Sequence, residues 1–329
     1  MKWALIGASN IAREWVIGAI RATGDEIVAV VSGDMGRARA YAQAQSIPHA
    51  LDNEDALDPL GIEAVYISTT NEKHEASVLR AASRGWHVLC EKPLATSVAA
   101  ARRMAQACDD AGVVMATNHH LRHGAIHRAM REQVLAGVLG RIGSVRLGLS
   151  VHLPPHLQGW RLTEAGAGGG VVLDIAVHNA DSLASVLGEY PDAVCAMTSN
   201  TGMAQGLEDN AMSIGRCPGG ITAFTHQGFN TPHAATRLEI HGDAGTLDAT
   251  NLFSPDPVGI VTLVQAAGRL ALPLEHENVY LRVVRNLHRA IRGEAHDNAD
   301  GWAGVRSLAV ADAVLASAKS GKTVRVAYD

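Results

Sequence analysis

The first twelve residues, MKWALIGASNIA (Met1–Ala12), decide the fold. The short apolar run Trp3–Ile6 predicts a buried β-strand, and a helical pattern follows it directly. The connection, GASNIA, is a degenerate form of the motif G-x-G-x-x-G that begins at Gly7, with Ser9 and Ala12 in the places of the second and third glycines. Such a turn lets a pyrophosphate approach backbone N–H groups at the start of a helix. We therefore expect a dinucleotide to bind at Gly7, Ser9 and Ala12.

The pattern of this first strand and helix repeats as far as residue 118. Further short apolar runs alternate with amphipathic stretches such as Ser97–Ala111. Strands this short and this apolar suit a parallel sheet that helices cover on both faces. The predicted strands are Trp3–Ile6, Ile27–Val31, Ala64–Ile67, Val88–Cys90 and Val113–Ala116. The sequence therefore predicts an N-terminal Rossmann domain with a doubly wound parallel sheet over residues 1–118.

The pattern changes after residue 118. A basic, histidine-rich helix is predicted near His123–Ala136, and helical patterns return at Val171–Leu187, Val279–Arg292 and Gly304–Ala318. The β-like runs between them are Ser144–Val151, Ala193–Ser199, Ala211–Arg216, Ile221–Gly228, Arg237–His241 and Gly259–Val264. These features predict a C-terminal α+β domain over residues 119–329, with a large, mostly antiparallel sheet arranged as a meander.

Composition restricts the class of protein. With 329 residues, of which 47% are hydrophobic and 19% charged, the chain can bury two cores and is not disordered. A net charge of -5 and an aromatic share of 4% argue against a nucleic-acid partner. We expect no leader peptide and no membrane span, and hence a cytoplasmic protein, because no stretch approaches the roughly 18 apolar residues that a span needs. Monomer and homodimer are both left open.

The end of the second predicted strand bears on the choice between NAD and NADP. An acidic residue there accepts the ribose hydroxyls of NAD, whereas a nearby arginine in its absence suits the 2′-phosphate of NADP. Here Ile27–Val31 leads into Ser32, and Arg37 follows in the first turn of the next helix. NADP(H) is therefore the expected cofactor. Asp34 lies close enough in sequence to bind the ribose instead, and this leaves NAD as the alternative.

Two segments provide groups for the reduction of a carbonyl, which needs a donor at the oxygen and a source of a proton. Lys92 follows the strand that ends at Cys90, at the edge of the sheet where ligands of such folds bind. Asp174 and His178 lie four residues apart on one face of the helix that follows Gly168–Gly170. His178 is suited to proton donation near neutral pH, and Asp174 could orient it or bind a substrate hydroxyl. We expect these three side chains to be catalytic.

A cluster of histidines has the spacing of a metal site but lacks a complete set of ligands. His119, His120, His123 and His127 fall at intervals that share a helical face. No cysteine and no acid in the same run completes a coordination set. We therefore expect no metal.

Three motifs together resemble the Gfo/Idh/MocA oxidoreductases over essentially the whole chain: GASNIA (Gly7–Ala12), EKP (Glu91–Pro93) and GGG-x3-D-x3-H (Gly168–His178). Longer strings such as HVLCEKPLA (His87–Ala95) and LPPHLQGWR (Leu153–Arg161) are similar to bacterial members that reduce anhydro-ketoses. The resemblance implies a sugar-like substrate and the reduction of 1,5-anhydro-D-fructose to 1,5-anhydro-D-mannitol. The alternatives are a polyol, inositol or aldose dehydrogenase of the same family and a non-catalytic NADP-binding regulator.

The resemblance also implies roles for particular residues. Lys92 would bridge the substrate oxygen and the nicotinamide, His178 would be the acid, and Asp174 would be its partner in the substrate site. Tyr280, at the start of a late helix, is a further cofactor candidate. The remaining cofactor contacts that the resemblance implies are Ser9, Asn10, Ile11, Ala12, Ser32, Arg37, Thr70, Asn71, His74, Glu91, Lys92, Asn118, Trp160 and Arg161.

Overall fold

The computed structural model describes residues 1–252 and 258–328. In chain order the strands are β1 (Lys2–Ile6), β2 (Glu26–Val31), β3 (His49–Leu51), β4 (Ala64–Ile67), β5 (His87–Cys90), β6 (Met115–Thr117), β7 (Ile142–Ser150), β8 (Ala193–Ser199), β9 (Asn210–Arg216), β10 (Thr222–Gly228), β11 (Arg237–Gly242), β12 (Thr246–Thr250), β13 (Ile260–Gln265), β14 (Gly268–Ala271), β15 (Ala299–Asp300) and β16 (Val324–Arg325).

The α-helices are α1 (Ile17–Ala22), α2 (Met35–Gln45), α3 (His74–Ser83), α4 (Val98–Asp110), α5 (Ala125–Leu135), α6 (Trp160–Thr163), α7 (Val177–Leu187), α8 (Val279–Ile291) and α9 (Gly301–Ser320). Two π-helical turns, Ala12–Val16 and Val172–Ala176, lead directly into α1 and α7. Turns of this kind are frequent at functional sites, and these two begin the helices on which the sequence places the cofactor motif and Asp174.

The chain divides into two compact units. The first contains residues 1–120 and 278–305, and the second contains residues 121–277 and 306–329. This division differs from a single boundary after residue 118, because α8 and β15 return to the first unit. The reason is hydrophobic burial, since Val284 and Leu287 of α8 are 0% exposed and share a core cluster with Trp3 and Ile20.

The first unit is built on a seven-stranded sheet in the order β15-β6-β5-β4-β1-β2-β3. β1 pairs in parallel with β2 on one side and with β4 on the other. Of the described strands in this sheet, the short edge strand β15 alone runs antiparallel to its neighbour, which is β6. The order therefore reverses at β1, and the carboxyl ends of β1, β2 and β4 form the kind of crevice at which such folds bind ligands. The predicted doubly wound parallel sheet is confirmed.

The second unit is built on a nine-stranded sheet in the order β14-β13-β12-β11-β7-β10-β9-β8-β16. The predicted mostly antiparallel sheet is confirmed, but it is not a simple meander. β7 lies in the middle, antiparallel to β11 and parallel to β10. The chain between β7 and β8 is long and contains α7, and this excursion allows two strands to run in the same direction.

Among the described residues, the helical stretch Ala165–Leu187 of the second unit is long and apolar enough to cross a membrane. No such stretch is expected from the sequence. In the structure 78% of the most apolar part of this stretch is buried inside the protein, as in the core helix of a soluble protein. Its side chains, among them Ala180 and Leu183, face Ala223 and Thr225 of β10 across a small cavity. The apolar character therefore serves the packing of α7 on the sheet.

Candidate active site

The turn after β1 passes very close to the segment that follows β4. Gly7 has a φ of +113°, and a Cβ on it would lie 2.9 Å from the carbonyl carbon and oxygen of Ser68. Glycine is needed here, because any side chain would push the two segments apart. The Ser9 hydroxyl donates to Ser68 Oγ at 2.8 Å and accepts from the Ala12 N–H at 3.1 Å. The helix start is therefore held in the turn geometry that a pyrophosphate group requires.

Arg37 lies against the end of β2. Its Nε donates to Ser32 Oγ at 2.7 Å, and Ser32 is only 4% exposed. Asp34 acts as the N-cap of α2, because its Oδ1 accepts from the backbone N–H of Arg37 at 2.6 Å. The Asp34 carboxylate, which could bind ribose hydroxyls, thus caps a helix. The Arg37 guanidinium group lies beside the Ser32 hydroxyl. This arrangement fits a phosphate group on the ribose.

Glu91 is anchored at the carboxyl end of β5. Its Oε1 accepts from the Tyr66 hydroxyl at 2.6 Å and from Nδ2 of Asn118 at 2.5 Å. Burial raises the pKa of Glu91, while these hydrogen bonds and the charge of the neighbouring Lys92 oppose that shift. Burial, together with the charge of Glu91, also raises the pKa of Tyr66. The backbone that carries Lys92 is therefore fixed at the carboxyl edge of the sheet.

His74 connects two loops of the first unit. It is 0% exposed, with Nδ1 3.2 Å from the carbonyl oxygen of Leu94 and Nε2 3.2 Å from that of Thr69. Burial lowers the pKa of His74, and the neutral ring has one N–H to donate between these two oxygens. Thr69 directly precedes the predicted cofactor residues Thr70 and Asn71. His74 therefore braces the loops around the predicted cofactor site, and its own contact with the cofactor stays a prediction.

Tyr280 belongs to a stack of aromatic rings in the first unit. Its ring centroid lies 5.7 Å from that of Trp15 and 4.8 Å from that of His120, with interplanar angles of 19° and 23°. Burial raises the pKa of Tyr280, with a smaller contribution from the charge of Glu91. Tyr280 is a predicted cofactor residue, but its stack with Trp15 and His120 is not predicted, because a stack between distant segments leaves no local sequence pattern.

In the second unit, Asp174 and His178 lie on one continuous helical stretch, the π-helical turn and α7. His178 is 5% exposed, and the Asp174 side chain is 13% exposed. Arg161 Nε lies 3.5 Å from Asp174 Oδ1, and its guanidinium carbon lies 4.4 Å from the centroid of the Trp160 ring. An ion pair and a cation–π contact thus bring the predicted residues Trp160, Arg161 and Asp174 together.

A buried ion pair that sequence reasoning missed lies one turn beyond His178. The Arg122 guanidinium binds both carboxylate oxygens of Asp181, which is 1% exposed, and its Nε lies 3.1 Å from Oδ2. His127 of α5 lies 3.1 Å from the Ser182 hydroxyl, and burial lowers its pKa to about 4. The His127 contact joins α7 to α5, and the Arg122–Asp181 pair joins α7 to the turn that precedes α5. Within residues 1–252 and 258–328, no group of three or more His, Cys, Asp or Glu side chains is placed to hold a metal ion.

Comparison with known proteins relates both units to one family. Residues 1–119 match the oxidoreductase family with an NAD-binding Rossmann fold, and residues 127–248 match the GFO/IDH/MocA C-terminal domain. Over 328 residues the chain is 46% identical to 1,5-anhydro-D-fructose reductase from Ensifer adhaerens, a match that covers 99% of this chain and 98% of that protein. The chain belongs to the Gfo/Idh/MocA oxidoreductase family.

Two further similarities agree with the Gfo/Idh/MocA assignment. The chain is 30% identical over 330 residues to D-xylose 1-dehydrogenase (NADP(+)) 2 from Haloferax volcanii, covering 99% of this chain and 100% of that protein. The crystal structure of an aldose-aldose oxidoreductase from Caulobacter crescentus matches with a TM-score of 0.90 at 24% identity, over 99% of both chains. This second likeness supports the Gfo/Idh/MocA fold alone. The protein is therefore an oxidoreductase with a nucleotide-binding Rossmann unit.

Proposed function

We propose that the protein is an NADPH-dependent reductase of the keto group of a sugar derivative, which converts 1,5-anhydro-D-fructose to 1,5-anhydro-D-mannitol in the cytoplasm. The observation that carries this proposal is the 46% identity, over 99% of the chain, with a 1,5-anhydro-D-fructose reductase. The chain also has an amine, a carboxylate and an imidazole in the motifs that resemble this family, at Lys92, Asp174 and His178.

The end of β2 supports NADP as the cofactor. Arg37, held by Ser32, offers charge-assisted hydrogen bonds to a 2′-phosphate, and Asp34 is occupied as a helix cap. Ser32 stands where a carboxylate would accept the ribose hydroxyls of NAD. Gly7 and Ser9 shape the turn for the pyrophosphate, so the first unit has groups that fit both the pyrophosphate and a 2′-phosphate.

The mechanism follows from the chemistry of a carbonyl that becomes an alcohol. A dihydronicotinamide, when bound in the first unit, would supply the hydride, and reduction of the carbonyl would leave negative charge on its oxygen. The Lys92 ammonium group donates a hydrogen bond to that oxygen and stabilises the charge. His178 delivers the proton. Asp174, paired with Arg161 at 3.5 Å, accepts a hydrogen bond from a substrate hydroxyl and thereby orients the sugar.

The first experiment follows the loss of dihydronicotinamide absorbance when NADPH is mixed with enzyme and 1,5-anhydro-D-fructose. NADH replaces NADPH in a control, and D-xylose or inositol with the oxidised cofactors tests for a dehydrogenase, which the D-xylose 1-dehydrogenase relative makes the second candidate. We expect rapid oxidation of NADPH with the anhydro-ketose. Activity that appears only with a polyol or aldose and an oxidised cofactor contradicts the proposal, and binding of NADP with no turnover of any substrate indicates a regulator.

A further inference from the structure

The loop between β8 and β9 holds the start of the helical stretch that carries Asp174 and His178. Glu208, in this loop, accepts the backbone N–H of Val172 with its Oε1 at 3.1 Å. The carbonyl oxygen of Glu208 accepts the backbone N–H of Val171 at 3.0 Å. These N–H groups belong to the first turn, where a helix provides no acceptor of its own. One residue therefore satisfies two donors at the N-terminal end of the stretch.

Two glycines that precede the helical stretch pack closely against this loop. Gly170 has a φ of +100°, and a Cβ on it would overlap Oε1 of Glu208 and lie 2.8 Å from Cδ. A Cβ on Gly169 would lie 2.8 Å from the side chain of Leu207 and 2.7 Å from the carbonyl oxygen of Trp160. The positive φ of Gly170 and the backbone oxygen beside Gly169 thus disfavour a side chain at either position, and Gly170 packs directly against the Glu208 carboxylate.

The loop that contains Glu208 is held by its own hydrogen bonds. Asp209 is 0% exposed, and its carboxylate accepts four hydrogen bonds, at 2.6 to 3.1 Å, from groups of residues 201–204. The backbone N–H of Gln205 donates to the carbonyl oxygen of Leu162 at 2.7 Å, in the helix that also carries Arg161. The same loop therefore contacts both the helix start and the segment whose arginine pairs with Asp174.

We propose that Glu208 is a positioning residue for the reduction, which fixes the first turn below Asp174 and His178. The expected effect of Glu208 on the rate rests on the proposed function, whereas its hydrogen bonds to the start of the helix do not. Without the carboxylate, the Val172 N–H loses its acceptor and the turn can shift toward the glycines. A shift of about 1 Å in catalytic groups lowers a rate by as much as a hundredfold.

The test compares Glu208→Ala, Glu208→Gln and a matched control, Glu189→Ala. Glu189 also accepts a backbone N–H, that of Gly219 at 2.8 Å, but at the turn between β9 and β10. We would measure kcat and KM for the anhydro-ketose, the Kd of NADPH, and amide hydrogen exchange of residues 171–176. For Glu208→Ala we expect kcat/KM to fall by about tenfold or more, an unchanged Kd, and faster exchange. Glu208→Gln keeps an oxygen acceptor and should recover most of the activity, and Glu189→Ala should match the wild type.

Hydrogen exchange separates failure of this inference from failure of the proposed function, since it needs no substrate. A wild-type protein that reduces no ketose would contradict the proposed function. Faster exchange confined to the Glu208→Ala variant would then still show that Glu208 holds the start of the helix. Unchanged exchange in Glu208→Ala overturns the inference. So does an active Glu208→Ala enzyme with wild-type kcat/KM, or an equal loss of kcat/KM in Glu208→Ala and Glu189→Ala, which would indicate general destabilisation.

Discussion

Ser32 and Arg37 act as a pair at the end of β2, so changing either one tests the preference for NADP. We expect Arg37→Ala to weaken NADPH binding by roughly ten- to a hundredfold, because a hydrogen bond to a charged group is worth about 1.5–3 kcal/mol. NADH binding should be unchanged. Ser32→Asp should weaken NADPH binding through repulsion of the phosphate and strengthen NADH binding through the ribose hydroxyls. The measurement is a fluorescence titration of each variant with both cofactors.

Arg39 provides the control for this titration. It lies two residues beyond Arg37 on the same helix and is exposed. If Arg39→Ala weakens NADPH binding as much as Arg37→Ala does, the general positive charge of α2 and not the contact with Ser32 determines the preference. Equal losses for NADPH and NADH in Arg37→Ala would also contradict the assignment of a 2′-phosphate site.

Lys92 and His178 are predicted to act on the chemical step and not on cofactor binding. We expect Lys92→Ala and His178→Ala each to lower turnover of the ketose by roughly a hundredfold or more, since each removes a proton-transfer or charge-stabilising group. The Kd of NADPH should remain largely intact in both. Steady-state kinetics and a cofactor titration provide the two measurements, with the exposed Lys319→Ala as a control. Normal rates in both variants would contradict the catalytic roles of Lys92 and His178.

Some of the residues that a sequence motif predicts have hydrogen-bond partners close to them in the chain. Ser9 accepts from an N–H three residues away, and Arg37 contacts a serine five residues away, so a short pattern is enough to indicate them. Glu208 and the Val172 N–H are 36 residues apart, and Arg122 and Asp181 are 59 residues apart. Such partners meet only after the sheet has formed, and a single sequence contains no pattern that connects them.

Among the elements, the sequence predicts best the strands that contain several consecutive apolar residues. The bounds of β4 and β8 agree with the prediction residue by residue. β3 and β15 are missed because they have only three and two residues, and β14 because all four of its residues are exposed and carry no apolar pattern. β12 is also missed, since Leu247 and Ala249 are its only apolar residues. The parallel pairing of β7 with β10 is missed for another reason, since strand order depends on long-range packing and not on the composition of a strand.

Helix α5 contains an imidazole that should make stability depend on pH. Burial lowers the pKa of His127 from 6.5 to about 4, so in mildly acidic solution the unfolded chain binds a proton that the folded chain does not. The free energy of unfolding should therefore fall as the pH drops below about 6.5, by about 2 kcal/mol near pH 5 from this one group. His127→Gln should show a shallower decline. Urea unfolding at about pH 7 and about pH 5 measures the difference.

His156→Gln is the control for this experiment, because His156 is exposed. Its decline in stability should parallel that of the wild-type protein. If the His127→Gln variant loses as much stability on acidification as the wild type, other titrating groups account for the effect, and His127 is not held in its neutral form.

At the scale of the whole molecule, the cofactor-binding unit is discontinuous in sequence. Helix α8 gives Tyr280, Val283, Val284 and Leu287 to the core of the first unit, at 7%, 3%, 0% and 0% exposure. Burying one such side chain contributes roughly 1.5–3 kcal/mol, so four of them contribute an amount comparable to the 5–15 kcal/mol that stabilises a typical domain. The N-terminal segment alone should therefore be unable to hold its fold.

We expect a fragment of residues 1–120 to lack a cooperative thermal transition and to bind no NADPH, whereas the same fragment joined by a flexible linker to residues 278–305 should do both. Circular dichroism melting and a cofactor titration compare the two. The linked fragment is the control, because it restores the α8 side chains and the pairing of β15 with β6 without the second unit. If the fragment of residues 1–120 melts cooperatively and binds NADPH as tightly as the linked one, the Rossmann core forms without helix α8. Burial of Val284 and Leu287 would then be a consequence of the folding of this core and not a condition for it.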